Sequence, residues 1–220
     1  SNNHQIGLAT LMYVSDYDDS YPRGVRVVGA TPSTANDPTA WNILLLRYLG
    51  IASTNSLTAV PVYVCPVRDD AVVQAGVLFP VSYRANMHIF RHTSGANFPV
   101  PLRASMIMAT STAVTMFEKN RASMQYQFDH TALDANRMLW NSPTPPMGMT
   151  RHESGCTATI ADGHAERIKL PPFVTGGPVP ADMFDMGDVR GNPTGGNVPN
   201  LFVSTRAKVW FRETTTSAGY

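Results

Sequence analysis

The sequence predicts an α+β fold, an N-terminal helix packed on a mostly antiparallel β-sheet. Three observations predict it. Helical periodicity is confined to the part before Gly50, short β-rich runs follow, and an Asp-Gly pair sits between two strand-like runs. Composition agrees: of 220 residues 43% are hydrophobic and 15% charged, with 16 glycines and 17 prolines, a balance favouring turns over long helices. A chain this long buries roughly 70% of its unfolded surface, enough for one substantial core. Its formal charge of +1 provides no concentrated basic stripe, so nucleic acid is not an expected partner. The hydrophobic share is too high, and the net charge too low, for a disordered tail.

The first helix is expected from Gln5 to Asp16. Ile6, Leu8, Ala9, Met12 and Tyr13 share one broad face at 3.6 residues per turn. Asp16, Asp18 and Asp19 oppose the negative end of the helix dipole, and Pro22 prevents continuation. A second helix is expected between Asp37 as N-cap, with Pro38 at the first position, and Gly50 as a left-handed terminator. Trp41, Leu44, Leu45, Tyr48 and Leu49 form its apolar stripe.

Strands are expected at Val60–Val64, Val77–Tyr83 and Ala113–Glu118. Cys156–Ala161 and His164–Leu170 flank Asp162-Gly163 and read as a hairpin with a two-residue turn, Ile160 facing Ala165 and both turn residues at positive φ. Neither face of that ribbon is cleanly apolar, which calls for a bulge or for cover on both sides. Leu170–Asn200 is a Gly/Pro-rich excursion, long for a loop within a domain. Leu201–Arg212 alternates as a half-buried last strand with a basic outer face.

Several residues invite a chemical reading. Cys65 and Cys156 admit one disulfide, which suits an oxidising compartment, or act as two buried thiols. His88 and His92 are spaced for zinc on a helix, but their surroundings read as strand. Asp182, Asp185 and Asp188 sit in a glycine-containing loop that could take calcium, though not at EF-hand spacing; solvated aspartates are the bland alternative. The same weighing applies to Asp16, Asp18 and Asp19, with Asx turns as their alternative. A nucleophile elbow and a phosphate-binding loop are both missing, and nothing marks either cysteine as activated. The sequence therefore predicts no enzyme and no cofactor, calcium being the one candidate ion.

The longest aliphatic run, Ile43–Leu46, is far short of the ~20 apolar residues of a membrane span. Ser1–Gln5 carries no signal-peptide pattern, which taken alone suggests the cytosol.

One constellation is more specific. Arg151-His152 is followed, after nine intervening residues, by Asp162-Gly163-His164, downstream of an opening Asn2-Asn3-His4-Gln5-Ile6-Gly7-Leu8-Ala9. Trp41 with Leu44–Gly50, Val64-Cys65-Pro66, Ser82–Asn86 and Phe117-Glu118 follow in order. Together these resemble pseudopilin-like proteins with a prepilin-type processing-associated H-X9-DG domain, over most of the chain to about Leu170. The resemblance implies one pilin-like domain over 1–220: residues 1–20 as the C-terminal half of an assembly helix, 150–170 as the H-X9-DG hairpin, and 171–220 as a less typical tail. It further implies an apolar half-helix upstream of Ser1, placement at the cell envelope or in an extracellular filament, and partners among other pilin-like subunits and the secretion or pilus machinery. The cytosolic expectation is replaced accordingly.

Within that frame His152, Asp162 and Gly163 read as a fold staple, with His152 bonding the hairpin base. A His152–Asp162 metal pair is the sharper alternative, opposed by ten residues of strand at ~3.3 Å each. Ile6, Leu8, Met12 and Tyr13 are expected to divide between docking the helix and meeting neighbouring subunits. The competing function is an envelope-displayed binding module for glycan or secreted protein, using Phe202, Trp210 and Tyr220 beside the excursion.

Overall fold

The structure, a computed structural model, describes residues 2–24, 27–28, 31–32, 40–51, 60–67, 81–86, 89–91, 101–118, 152, 155–169, 185–187 and 208–210. Helix α1 covers Asn2–Asp16 and α2 covers Trp41–Leu44; the strands are β1 Val27–Val28, β2 Thr31–Pro32, β3 Tyr83–Ala85, β4 Val114–Glu118, β5 Gly155–Ile160, β6 Ala165–Lys169, β7 Met186–Gly187 and β8 Val209–Trp210. A four-stranded antiparallel sheet, ordered β3-β4-β5-β6, carries α1 on one face. The α+β expectation holds at that level.

Helix α1 begins at Asn2, earlier than Gln5, and stops at Asp16 as expected. Asp18 and Asp19 follow in the left-handed conformation, with φ of 49° and 64°. Three stripes divide its surface. Ile6, Ala9 and Tyr13 enter the main apolar core with Trp41, Leu45, Tyr63, Phe90 and Leu102. Asn3, Gly7 and Thr10, small or polar and also buried, form a second stripe. Leu8 and Met12, expected on the same face as Ile6, are instead 46% and 54% exposed.

The second helix is shorter and tighter than expected. Its N-cap is Ala40 rather than Asp37, which lies with Pro38 outside the described residues. After Leu44 it passes into a 3-10 turn, Leu46–Leu49, which Gly50 ends at φ 73° as predicted. The change of period buries Leu46 and leaves Leu44, Tyr48 and Leu49 only partly covered.

Val60–Val64 is not a strand. Pro61 opens a 3-10 turn over Pro61–Tyr63, its fixed φ and missing N–H suiting a first helical position. Within this turn Tyr63 is fully buried, its ring edge-on to Trp41 at 5.5 Å. Of the Val77–Tyr83 expectation only Val81 to Tyr83 falls among the described residues, and the strand there is Tyr83–Ala85.

The hairpin sits one residue off the expected register. Thr159 faces Ala165, leaving a three-residue loop, 161–163, in which Gly163 alone has positive φ, at 91°. Asp-Gly serves this wider turn as well as the two-residue one, because a single left-handed glycine closes it. Of the two remedies expected for the mixed ribbon, cover on both sides is the one seen. Strands β5 and β6 pair without a register shift, and the bulge lies in the neighbouring strand. Strand β4 bulges between Val114 and Met116, and the far face of the sheet buries Phe117, Cys156, Ala158 and Ile168. The last strand is seen only as β8, which pairs in parallel with β7; Val209 is buried and Lys208 exposed, matching the expected alternation there.

Candidate functional site

The H-X9-DG segment lies along β5–β6, and its two histidines mark opposite ends of that hairpin. At the turn, Asp162 Oδ1 accepts the His164 backbone N–H at 3.2 Å and lies 2.5 Å from its ring Nδ1. Both side chains are more than a third exposed, so the pair is local and solvated. Gly163 turns toward α1. A Cβ on Gly7 would collide with the Gly163 carbonyl oxygen and come within 2.9 Å of Thr159 Cγ2, while a Cβ on Gly163 would meet Leu11 Cδ1 at 2.7 Å. Helix and turn therefore touch backbone to backbone, which only glycine permits.

Along the same face Asn3 Nδ2 donates to Thr157 Oγ1 at 2.6 Å, and Thr159 Oγ1 donates to the Asn3 carbonyl at 3.1 Å. Asn2 Nδ2 donates to the carbonyl of Val64 at 2.8 Å. The Asn-Asn opening thus ties the helix start to the hairpin and to the segment carrying Cys65.

At the hairpin base the backbone N–H of His152 donates to the Gly155 carbonyl at 3.4 Å, and its carbonyl accepts Arg167 Nη2 at 3.0 Å. Its ring bonds a carboxylate instead of the expected backbone carbonyl: Nε2 lies 2.9 Å from Glu118 Oε1. The other Glu118 oxygen accepts the Thr157 N–H at 2.8 Å, capping the ladder where β4 ends. Cys65 Sγ stands 3.6 Å from the same Nε2. Cys65 and Glu118 are buried, while the His152 side chain keeps 26% exposure. Among the described residues these three form a group whose ligand-type atoms all lie within 4.8 Å of one another.

His152 and Asp162, read from the sequence with Gly163 as one staple, have separate partners at the two ends of the hairpin. The His152–Asp162 metal pair does not form, because Asp162 turns to His164 beyond the six residues of β5. No Cys65–Cys156 disulfide is present either. Cys156 faces Ile168 across the strands, whereas Cys65 approaches His152. Burial, and then the Glu118 carboxylate, push the Cys156 thiol upward, so it stays protonated and inert.

Asp185 accepts the Lys169 N–H at 2.9 Å and lies 3.5 Å from Lys208 Nζ; its cationic neighbour is a lysine, and Asp182 and Asp188 lie outside the described residues. Asp16 meets Tyr48 Oη at 2.8 Å, and Asp19 accepts the Ser105 N–H at 2.9 Å. His88, His92, Phe202 and Tyr220 also lie outside the described residues, and Trp210 is described by its backbone alone.

Sequence reasoning missed Glu118 and Cys65 as partners of His152. The signal was available in part, since Val64-Cys65-Pro66 and Phe117-Glu118 were themselves landmarks of the resemblance.

An apolar groove of about 540 Å³ runs beside the exposed stripe of α1, lined by Leu8, Met12, Tyr48, Leu49, Ile51 and Val62 among others. No described helix is long and apolar enough to cross a membrane. No family model, curated protein or solved structure matches the chain.

Proposed function

We propose that this chain is a structural subunit of a pilus-like or pseudopilus-like filament or secretion apparatus at the cell envelope, acting by assembly and not by catalysis. The observation that carries the reading is the division of α1. Two of its stripes are committed to the sheet and the core, while Leu8 and Met12 stand exposed over an apolar groove. A helix that served only to cover the sheet would turn polar side chains outward there. Burying the remaining 46% of Leu8 between copies contributes about 1 kcal/mol per contact, and a filament repeats that contact along its length.

The reading also explains why the other stripes are so tightly bound. A subunit loaded through its N-terminal helix needs that helix joined to the globule, and Asn3, Gly7 and Thr159 supply the joint.

The test is Leu8→Asp in the full-length precursor, expressed with its assembly machinery. The globule should fold with unchanged circular dichroism, and filaments or cross-linked multimers should disappear. Normal filaments from that variant would overturn the proposal. A second check is the coding sequence upstream of Ser1, expected to encode about 20 apolar residues after a short basic leader.

A further inference from the structure

We infer that Cys65, Glu118 and His152 form a mononuclear site for a borderline-soft divalent transition-metal ion, with zinc as its representative. The inference stands apart from any assembly role. Three segments far apart in the chain bring a sulfur, a carboxylate oxygen and an imidazole nitrogen to one point. One nitrogen, Nε2, faces both partners. As an N–H it donates to Glu118, and in the other tautomer it offers a lone pair to the thiol or to a cation. A cation at that point serves all three atoms at once.

The distances suit it. A tetrahedral zinc with Zn–S of about 2.3 Å and Zn–N of about 2.0–2.1 Å holds sulfur and nitrogen about 3.6 Å apart. The observed Sγ–Nε2 separation is 3.6 Å. Nitrogen and oxygen ligands would lie about 3.3 Å apart, so the 2.9 Å Glu118–His152 contact needs to open by about 0.4 Å. Thiolate and carboxylate together balance a divalent charge in a site where neither anion is well hydrated.

The surroundings fit as well. The second oxygen of Glu118 is held by the Thr157 N–H, the sort of outer contact that orients a metal-bound carboxylate. His152 is the partly exposed member, which leaves an entry path and room for a water as fourth ligand. A sulfur and a nitrogen among three ligands disfavour calcium and magnesium, which take oxygen. On binding, the Cys65 thiol proton passes to solvent and the imidazole proton moves from Nε2 to Nδ1, which frees the Nε2 lone pair for the metal. Affinity therefore rises with pH.

Titration of the reduced, metal-stripped full chain with Co²⁺ tests the site. The expected result is one equivalent bound with a thiolate-to-cobalt charge-transfer band, displaced by Zn²⁺ and not by Ca²⁺. Cys65→Ser should lose that band. No saturable Co²⁺ uptake by the native chain, or a band that survives Cys65→Ser, would sink the inference. Should the variant fail to fold, alkylation of Cys65 in the native chain decides. Slowing by one equivalent of Zn²⁺ supports the site, and an unchanged rate overturns it.

Discussion

The two ends of the β5–β6 hairpin each carry a histidine beside a carboxylate, and they do different work. Asp162 and His164 share a solvated turn where water competes for every bond. Glu118 and His152 meet where the carboxylate side chain is 2% exposed, with a backbone N–H and a thiol completing the surroundings. A near-identical pair is a local turn ornament in one place and a junction of three chain segments in the other. Burial, not pair chemistry, decides how much depends on it.

That contrast yields measurable differences. Glu118→Ala should cost the most, about 3 kcal/mol, because it orphans the Thr157 N–H and removes the partner of His152. Urea denaturation of the purified chain reads this directly. A loss as small as that of the turn pair would erase the distinction between the ends.

Gly7→Val comes next, at about 2 kcal/mol. Its side chain must displace the Gly163 backbone, which cannot retreat as a flexible side chain would. Gly50→Ala is the control at about 1 kcal/mol, since Gly50 has positive φ but open space around it. Equal losses would mean that the helix–turn contact adds nothing beyond backbone strain.

Asp162→Ala should cost below about 1 kcal/mol in the same assay, as expected for an exposed pair.

The smallest effect concerns pH. Hydrogen bonds from Ser105, chiefly, hold the Asp19 carboxyl below its ordinary value. A depressed folded-state value means that its contribution is complete above the unfolded carboxylate range and fades as pH falls through the folded value. Asp19→Asn should flatten that acid limb slightly in thermal melts across pH, and an unchanged limb would remove Asp19 as its source.

Local signals were legible in the sequence. The stop at Asp16, the left-handed Gly50, strand β4 and the existence of the hairpin all follow from residues within a few positions of each other. Errors arose where one local signal serves two structures. Asp-Gly closes a three-residue loop as readily as a two-residue one, and Pro61-Val62-Tyr63 is rich in strand formers yet coils. The hairpin-base cluster lay beyond any local signal, for His152 meets Glu118 across 34 positions and Cys65 across 87. Likewise Gly7 and Thr10 carry no apolar mark, so periodicity overlooked the stripe that seats the helix.

The seat of α1 also has a consequence for biogenesis. Asn3 and Thr159, which bond in the finished molecule, are separated by 156 positions. At roughly 5–20 residues per second, the first is polymerised about 8–30 s before the second exists. Throughout that interval this stretch of helix has no hairpin to settle against and stays open to capture by a chaperone.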